Sequence, residues 1–457
     1  MPRSGKKGKA ESLRKLGSCL LKKMEKFIIC GEQSLEGEVK IMGAKNAATP
    51  ILAATLLTKE PCVIDNLPLV GDVLRMIEIL ESLGVKTQWL SKRKLWLQAK
   101  NLSLQNLRTD LVCQLRSSVL VIGSLLARLG RVTLPCPGGC LIGARPLDTH
   151  LDAFQSLGVE VKERGEKYEF QVKEKRKSFK TCQVVLREFS VTATENILMF
   201  AASCPQQTII RLAAAEPHVQ DLCQFLTKLG AQIEGIGTHT LRVNGTPKLK
   251  GVSYHKIIPD NIEAATFIIA AAATRGRIKI KEVILDHLWA ILKKLEEMGV
   301  KIEITPSKKG FHDIIVSPAP KLKAARIQTL PYPGLATDIQ APFGVLATQA
   351  TGMSLIHDPL YEGRLRYVTE LNKMGANCLV ADPHRAFIIG PTPLYGREIT
   401  SFDIRAGATL IIAGLIAKGE TTIKNAYQVD RGYERIEKRL QKLGAKIKRS
   451  TNQANNL

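Results

Sequence analysis

Six times along this chain, apolar residues at helical spacing stop at Leu-Gly or Met-Gly, then Val or Ala and a short extended run follow. The stops read IEILESLGV, LDAFQSLGV, LCQFLTKLGA, LKKLEEMGV, VTELNKMGA and IEKRLQKLGA. Their glycines, Gly84, Gly158, Gly230, Gly299, Gly375 and Gly444, lie 69 to 76 residues apart. Glycine belongs at such a stop because the chain leaves the helix through the left-handed region, where a Cβ is penalised. A Leu-Gly ending is common in itself, but six at near-equal spacing describe a repeated module. The period is too long for a solenoid unit and fits a compact module of two helices and several strands.

The intervening sequence supplies those parts. EVKIMG, CVIDNL, RVTLPC, TIIRLA, RIKIKEV and TTIKNAY alternate as half-buried strands do. AATPILAATLL, SSVLVIGSLLARL, ENILMFAAS, ATFIIAAAAT, QAPFGVLATQA and ATLIIAGLIAKG are apolar almost all round, which predicts helices at the centre of each domain. A chain of 457 residues exceeds one core, so three modules in each of two domains, in the α+β class, account for its length.

Composition narrows the function. Hydrophobic residues make up 45% and charged residues 24%, as in globular proteins, and no apolar run approaches the roughly 20 residues needed to span a bilayer. The ten cysteines include no Cys-x-x-Cys pair and no neighbours at zinc spacing, so they read as reduced thiols without a metal, in a cytoplasmic protein. Net charge is +24, and eight Lys or Arg fall within residues 1–23, a basic extension expected to be disordered, with Met24 as an alternative start. Aromatics are only 5%, too few for the stacking platforms of nucleic-acid binding, so the excess charge points to small anionic ligands.

One loop stands out: CPGGCLIGARPLD, residues 136–148, in which two glycines deliver Cys140, with Arg145 and Asp148 close behind. By itself Gly-Gly-Cys is a weak signal, as consistent with a small apolar residue in a turn as with a reactive thiol. Together with the sixfold module, MGAKNAATPILAATLL and VDRGYERIEKRLQKLGA, the loop resembles the enolpyruvyl transferases, and among them the branch acting on UDP-N-acetylglucosamine. The resemblance covers about residues 24 to 448. It implies a two-domain inside-out α/β barrel of six βαβαββ units. One domain would hold residues 44–258, the other 24–43 with 259–457, and the active site would lie in the cleft between them.

The same resemblance implies transfer of the enolpyruvyl group of phosphoenolpyruvate to the 3′-hydroxyl of UDP-N-acetylglucosamine, with release of phosphate, as the first committed step toward peptidoglycan. It implies no cofactor and no nucleic-acid or membrane partner, with a monomer as the expected state. Donor and acceptor are both anions, which Arg and Lys suit. Lys45, Asn46, Arg116, Arg145, Arg364, Arg405 and Arg431 are the implied phosphoenolpyruvate contacts. Asn46, Arg116, Arg145, Pro146, Leu147, Asp148, Ser190, Val191, Thr192, Asp338, Leu360 and Tyr361 are those of the nucleotide-sugar. Cys140 is the implied acid, alkylated by fosfomycin, Asp338 the base, Lys45 a further catalytic residue, and Asp403 a supporting carboxylate. For Asp338 a plainer reading is a helix N-cap, which Thr337 would serve equally.

The chain departs from the family's usual pattern near the nucleotide. Thr192 stands for a glycine, Glu188 where a basic residue helps, Ala215 and His218 for a basic and an acidic residue, and Asn261 for an arginine. Leu335-Ala336 replaces Phe-Pro. These positions put nucleotide affinity in question. They leave open two alternatives: an EPSP synthase-like enzyme acting on shikimate 3-phosphate, and a non-catalytic protein that binds nucleotide-sugars.

Overall fold

The computed structural model describes residues 25–138, 146–173, 181–308 and 310–451. The basic extension, Met24, Cys140 and Arg145 lie outside the described residues. The predicted helix stops are all present. Gly84, Gly158, Gly230, Gly299, Gly375 and Gly444 each adopt a positive φ, between 76° and 118°.

Each module builds one sheet. Strand Cys62–Asp65 runs parallel to Val252–Lys256 and antiparallel to Lys94–Gln98, which in turn pairs with Lys86–Ser91. That order, a parallel edge followed by two antiparallel pairings, recurs in five four-stranded sheets, and a three-stranded sheet lacks the parallel edge among the described residues. The last sheet borrows the first of the described strands. Glu25–Cys30 inserts between Glu420–Lys424 and Lys446–Thr451, antiparallel to both, and joins the two ends of the described residues. Alternation sets which face is inward: in Arg277–Val283, Ile278 and Ile280 are fully buried beside more accessible Lys and Arg.

The all-apolar segments form the predicted helices, Lys45–Ala54, Val121–Leu129, Val191–Ala202, Asn261–Ala273, Thr337–Thr348 and Ile404–Ile416. Sheets cover them on the outside, so they are buried nearly all round, which makes each barrel inside-out. The last three pack on one another, and Val121–Leu129 packs on both Lys45–Ala54 and Val191–Ala202. The buried apolar side chains accordingly form two clusters. One runs from Ala44 to Ile257, and the other combines Phe27–Ile41 with Ile262–Ile447.

The chain crosses between the clusters twice, side by side. Ala44 N–H donates to Ile258 O at 2.8 Å, and Asp260 N–H donates to Met42 O at 2.8 Å. Gly43 is required at this crossing, since a Cβ there would sit 1.9 Å from the Asn66 carbonyl oxygen. No described helix is long and apolar enough to cross a membrane.

Candidate active site

A cleft of about 870 Å³ opens between the two clusters. The central helices aim their N-terminal ends at it. Lys45 and Asn46, Ser190 to Thr192, Asn261 and Ile262, Thr337 and Asp338, and Ile404 and Arg405 each open a helix and line the cleft. Arg116 and Ser117 open the 3₁₀ turn that precedes the remaining helix. Helix N-termini carry partial positive charge and unpaired N–H groups, so this convergence favours anions before any side chain is counted.

On the side of the 261–447 cluster, Asp338 is gripped by two arginines. Arg364 Nη2 donates to Oδ1 at 2.6 Å, while Arg405 Nε donates to Oδ2 at 3.0 Å. Burial alone would raise the Asp338 pKa, but Arg405, Arg364 and Lys45 together hold it well below the usual carboxylate range. Both guanidinium groups remain charged despite burial, because Asp338 balances them. Arg364 Nε and Arg405 Nη1 are buried donors with no acceptor among the described residues. Asp403 shapes this wall indirectly: its Oδ1 accepts from the N–H groups of Arg405 and Ala406, at 2.8 and 3.0 Å, and so caps the helix that carries Arg405. The N-cap of the Asp338 helix is Ala336, so neither Asp338 nor Thr337 caps it; the Thr337 hydroxyl donates instead to Asp358.

Asp72 ties the two sides together. It receives Arg431 Nε at 3.0 Å from one cluster and stands 3.5 Å from Lys45 Nζ of the other. Arg116 Nη2 reaches the Pro146 carbonyl at 3.5 Å. Leu360 and Tyr361 also line the cleft, and the Arg364 guanidinium lies 5.5 Å from the Tyr361 ring centre.

Around Thr192, the wall from the 44–257 cluster is different in kind. Ser190 caps its helix by accepting from Ala193 N–H. Behind Thr192 lies buried His150, whose Nε2 is 3.0 Å from the Thr192 hydroxyl oxygen, and Asn196 backs His150. Burial raises the carboxyl pKa of Glu195 well above its ordinary value and that of Glu216 as well. Burial likewise pushes the His218 pKa down to about 4, and Asp338 only partly opposes it.

Most of the residues singled out from sequence thus meet in one place. Lys45, Asn46, Arg116, Pro146, Ser190, Val191, Thr192, Asp338, Leu360, Tyr361, Arg364, Asp403, Arg405 and Arg431 all line the cleft. Two do not: Leu147 is packed into the apolar core, and Asp148 is exposed at the start of helix Asp148–Ser156, so neither side chain joins the lining. Of the unusual positions, Glu188 accepts from Thr149 Oγ1 at 3.3 Å, and Asn261 Nδ2 donates to His287 O at 3.4 Å. Asp72 and Glu195 had no signal in the sequence, because nothing local distinguishes them from other acidic residues early in a helix.

The fold is that of the enolpyruvyl transferases. It matches the enolpyruvyl transferase NikO from Streptomyces tendae with a TM-score of 0.83 at 24% identity, over 93% of this chain and 99% of the other. It matches an EPSP synthase from Acinetobacter baumannii with a TM-score of 0.71 at 17% identity, over the same shares. Residues 29–440 also fit the profile of the EPSP synthase family, described as 3-phosphoshikimate 1-carboxyvinyltransferase. Sequence relatives define the branch. The UDP-N-acetylglucosamine 1-carboxyvinyltransferase of Finegoldia magna is 42% identical over 93% of this chain and 99% of its own length. UDP-N-acetylglucosamine 1-carboxyvinyltransferase 2 of Carboxydothermus hydrogenoformans is 43% identical over the same shares. The chain belongs to the UDP-N-acetylglucosamine 1-carboxyvinyltransferase family.

Proposed function

We propose that this protein transfers the enolpyruvyl group of phosphoenolpyruvate to the 3′-hydroxyl of UDP-N-acetylglucosamine, releasing phosphate, in the cytoplasm, as the entry to peptidoglycan precursor synthesis. The observation that carries the reading is Asp338 clamped by Arg364 and Arg405 at the convergence of helix N-termini, in a chain of this family.

In the first step a proton is added to C3 of the enol while the sugar hydroxyl oxygen attacks C2 and yields its own proton. In the second, C3 loses a proton and the C2–O bond to phosphate breaks. Cys140 is the proposed acid, and Asp338 the proposed base. Gripped by two guanidinium groups, Asp338 is a weak base, since basicity falls with pKa. The phosphate and carboxylate of the donor compete for those guanidinium groups and, once bound, raise the affinity of Asp338 for a proton. The base is therefore switched on by the donor. Lys45, Arg116, Arg145 and Arg431 complete the anion cradle in this reading, and the two core clusters are the domains that close on it.

The test is phosphate release from purified protein with phosphoenolpyruvate and UDP-N-acetylglucosamine, with Cys140→Ala as background and shikimate 3-phosphate as the alternative acceptor. Release with the nucleotide-sugar, but not with the shikimate ester, is expected. No release above the Cys140→Ala background would reject the reading.

A further inference from the structure

The tautomer of one buried histidine is fixed by its neighbours, and that decides where a hydroxyl proton in the cleft points. The Asn196 side-chain amide is oriented without ambiguity: Oδ1 accepts from Gly123 N–H at 2.8 Å, and Nδ2 donates to Val119 O at 3.0 Å. The same Nδ2 lies 3.2 Å from His150 Nδ1. An amide NH₂ only donates, so Nδ1 is the acceptor and the neutral ring carries its hydrogen on Nε2. Nε2–H then donates to Thr192 Oγ1, 3.0 Å away. A threonine hydroxyl that accepts this bond has one proton of its own left to give. Thr192 lines the cleft, and that proton has no acceptor among the described residues. Burial and the nearby Arg116 push the His150 pKa down to about 3, so the ring is neutral at any working pH.

We propose that the Thr192 hydroxyl is a hydrogen-bond donor to a diphosphate oxygen of the nucleotide-sugar, with His150 as the positioning residue that aims it. The proposal rests on the acceptor assignment above. Thr192 lies in the first turn of helix Val191–Ala202, whose free N–H groups favour an anion at the same point.

The experiment compares wild type, Thr192→Val, which keeps the shape and loses the hydroxyl, and Thr192→Ser, which keeps the hydroxyl. Calorimetric titration with UDP-N-acetylglucosamine and steady-state kinetics with both substrates are the readouts. Thr192→Val is expected to raise Kd and KM for the nucleotide-sugar by about tenfold or more, the usual effect of losing a hydrogen bond to a charged group. KM for phosphoenolpyruvate should stay within about twofold, and Thr192→Ser should restore most of the affinity. If wild type turns over and Thr192→Val binds equally well, the donor assignment is wrong while the enzyme assignment stands. A Thr192→Ser variant as weak as Thr192→Val would also overturn it, because packing rather than the hydroxyl would then be responsible. Wild type that neither binds nor turns over the nucleotide-sugar removes both.

Discussion

The two walls of the cleft are built on one architecture and solve opposite problems. On the 261–447 side the helix N-termini present full charges, and Asp338 sits at the centre of Arg364 and Arg405 as their counter-ion. On the 44–257 side Lys45 and Arg116 also bring charge, but the end of helix Val191–Ala202 presents the neutral Thr192, backed by a histidine denied its proton, on a wall that also holds two glutamates whose ionisation burial opposes. The first wall places charges. Around Thr192 the second places protons. Removing Asp338 from the first leaves buried charges uncompensated, and removing the Thr192 hydroxyl from the second takes away only a neutral hydrogen bond.

Asp338→Asn tests the charged wall and should have the largest effect. It removes the proposed base, which predicts a fall in kcat of about 10² to 10⁴. It also leaves two buried guanidinium groups without their counter-ion, which predicts a loss of about 3–5 kcal/mol in unfolding free energy. Kinetics below the variant's melting transition and urea titration read the two losses separately. Activity within tenfold of wild type would remove Asp338 as the base, and unchanged stability would mean that the guanidinium charges are balanced elsewhere.

The contrast also explains what could be read from the sequence. The fold was accessible because its signals are local: a positive-φ glycine ends each helix, and an all-apolar run declares a central one. The cations of the charged wall were accessible through motifs such as FDIRAGA, in which Asp403 caps the helix and Arg405 grips Asp338. Asp72 was not, because its partners Lys45 and Arg431 come from distant parts of the chain and meet only when the two clusters face each other. Leu147 and Asp148 show the converse: a motif names a backbone segment, yet here one side chain turns into the core and the other to solvent. The tautomer of His150 depends on an amide held by Gly123 and Val119, and no spacing rule carries that.

The neutral wall has a pH signature of intermediate size. Unfolded histidine takes up a proton near pH 6.5, whereas folded His150 resists it down to about 3 and folded His218 down to about 4. Between those limits the unfolded state binds more protons, so stability must fall as pH drops through 6.5. At pH 5 the cost is about 2 kcal/mol for each histidine. Glu195, with its raised pKa, pulls in the opposite direction, so the informative quantity is the difference between variants. Urea titrations at pH 7, 6 and 5 should show His150→Gln losing about 2 kcal/mol less than wild type over that range. Equal slopes would mean that His150 is protonated in the folded protein, and the aimed Thr192 hydroxyl would fall with it.

The smallest effect is expected where charges join the two clusters but remain partly open to water. Arg93 reaches Glu434 with both terminal nitrogens, at 2.6 and 2.7 Å, and Glu434 also accepts from Leu69 N–H at 3.0 Å. The Arg93 side chain is 21% exposed, compared with 9% and 5% for Arg364 and Arg405, although Glu434 at 12% is more covered than Asp338 at 20%. Water therefore screens the Arg93 guanidinium more than those that hold Asp338, while the two-point geometry keeps the pair above an ordinary surface pair. A double-mutant cycle with Arg93→Ala and Glu434→Ala should give a coupling of about 1 kcal/mol in unfolding free energy. A coupling below about 0.3 kcal/mol, within the scatter of independent sites, would show that this ion pair adds nothing measurable to the joining of the clusters. A coupling as large as that of the Asp338 cluster would break the contrast itself, because desolvation would then not be what separates a structural ion pair from the charged wall of the cleft.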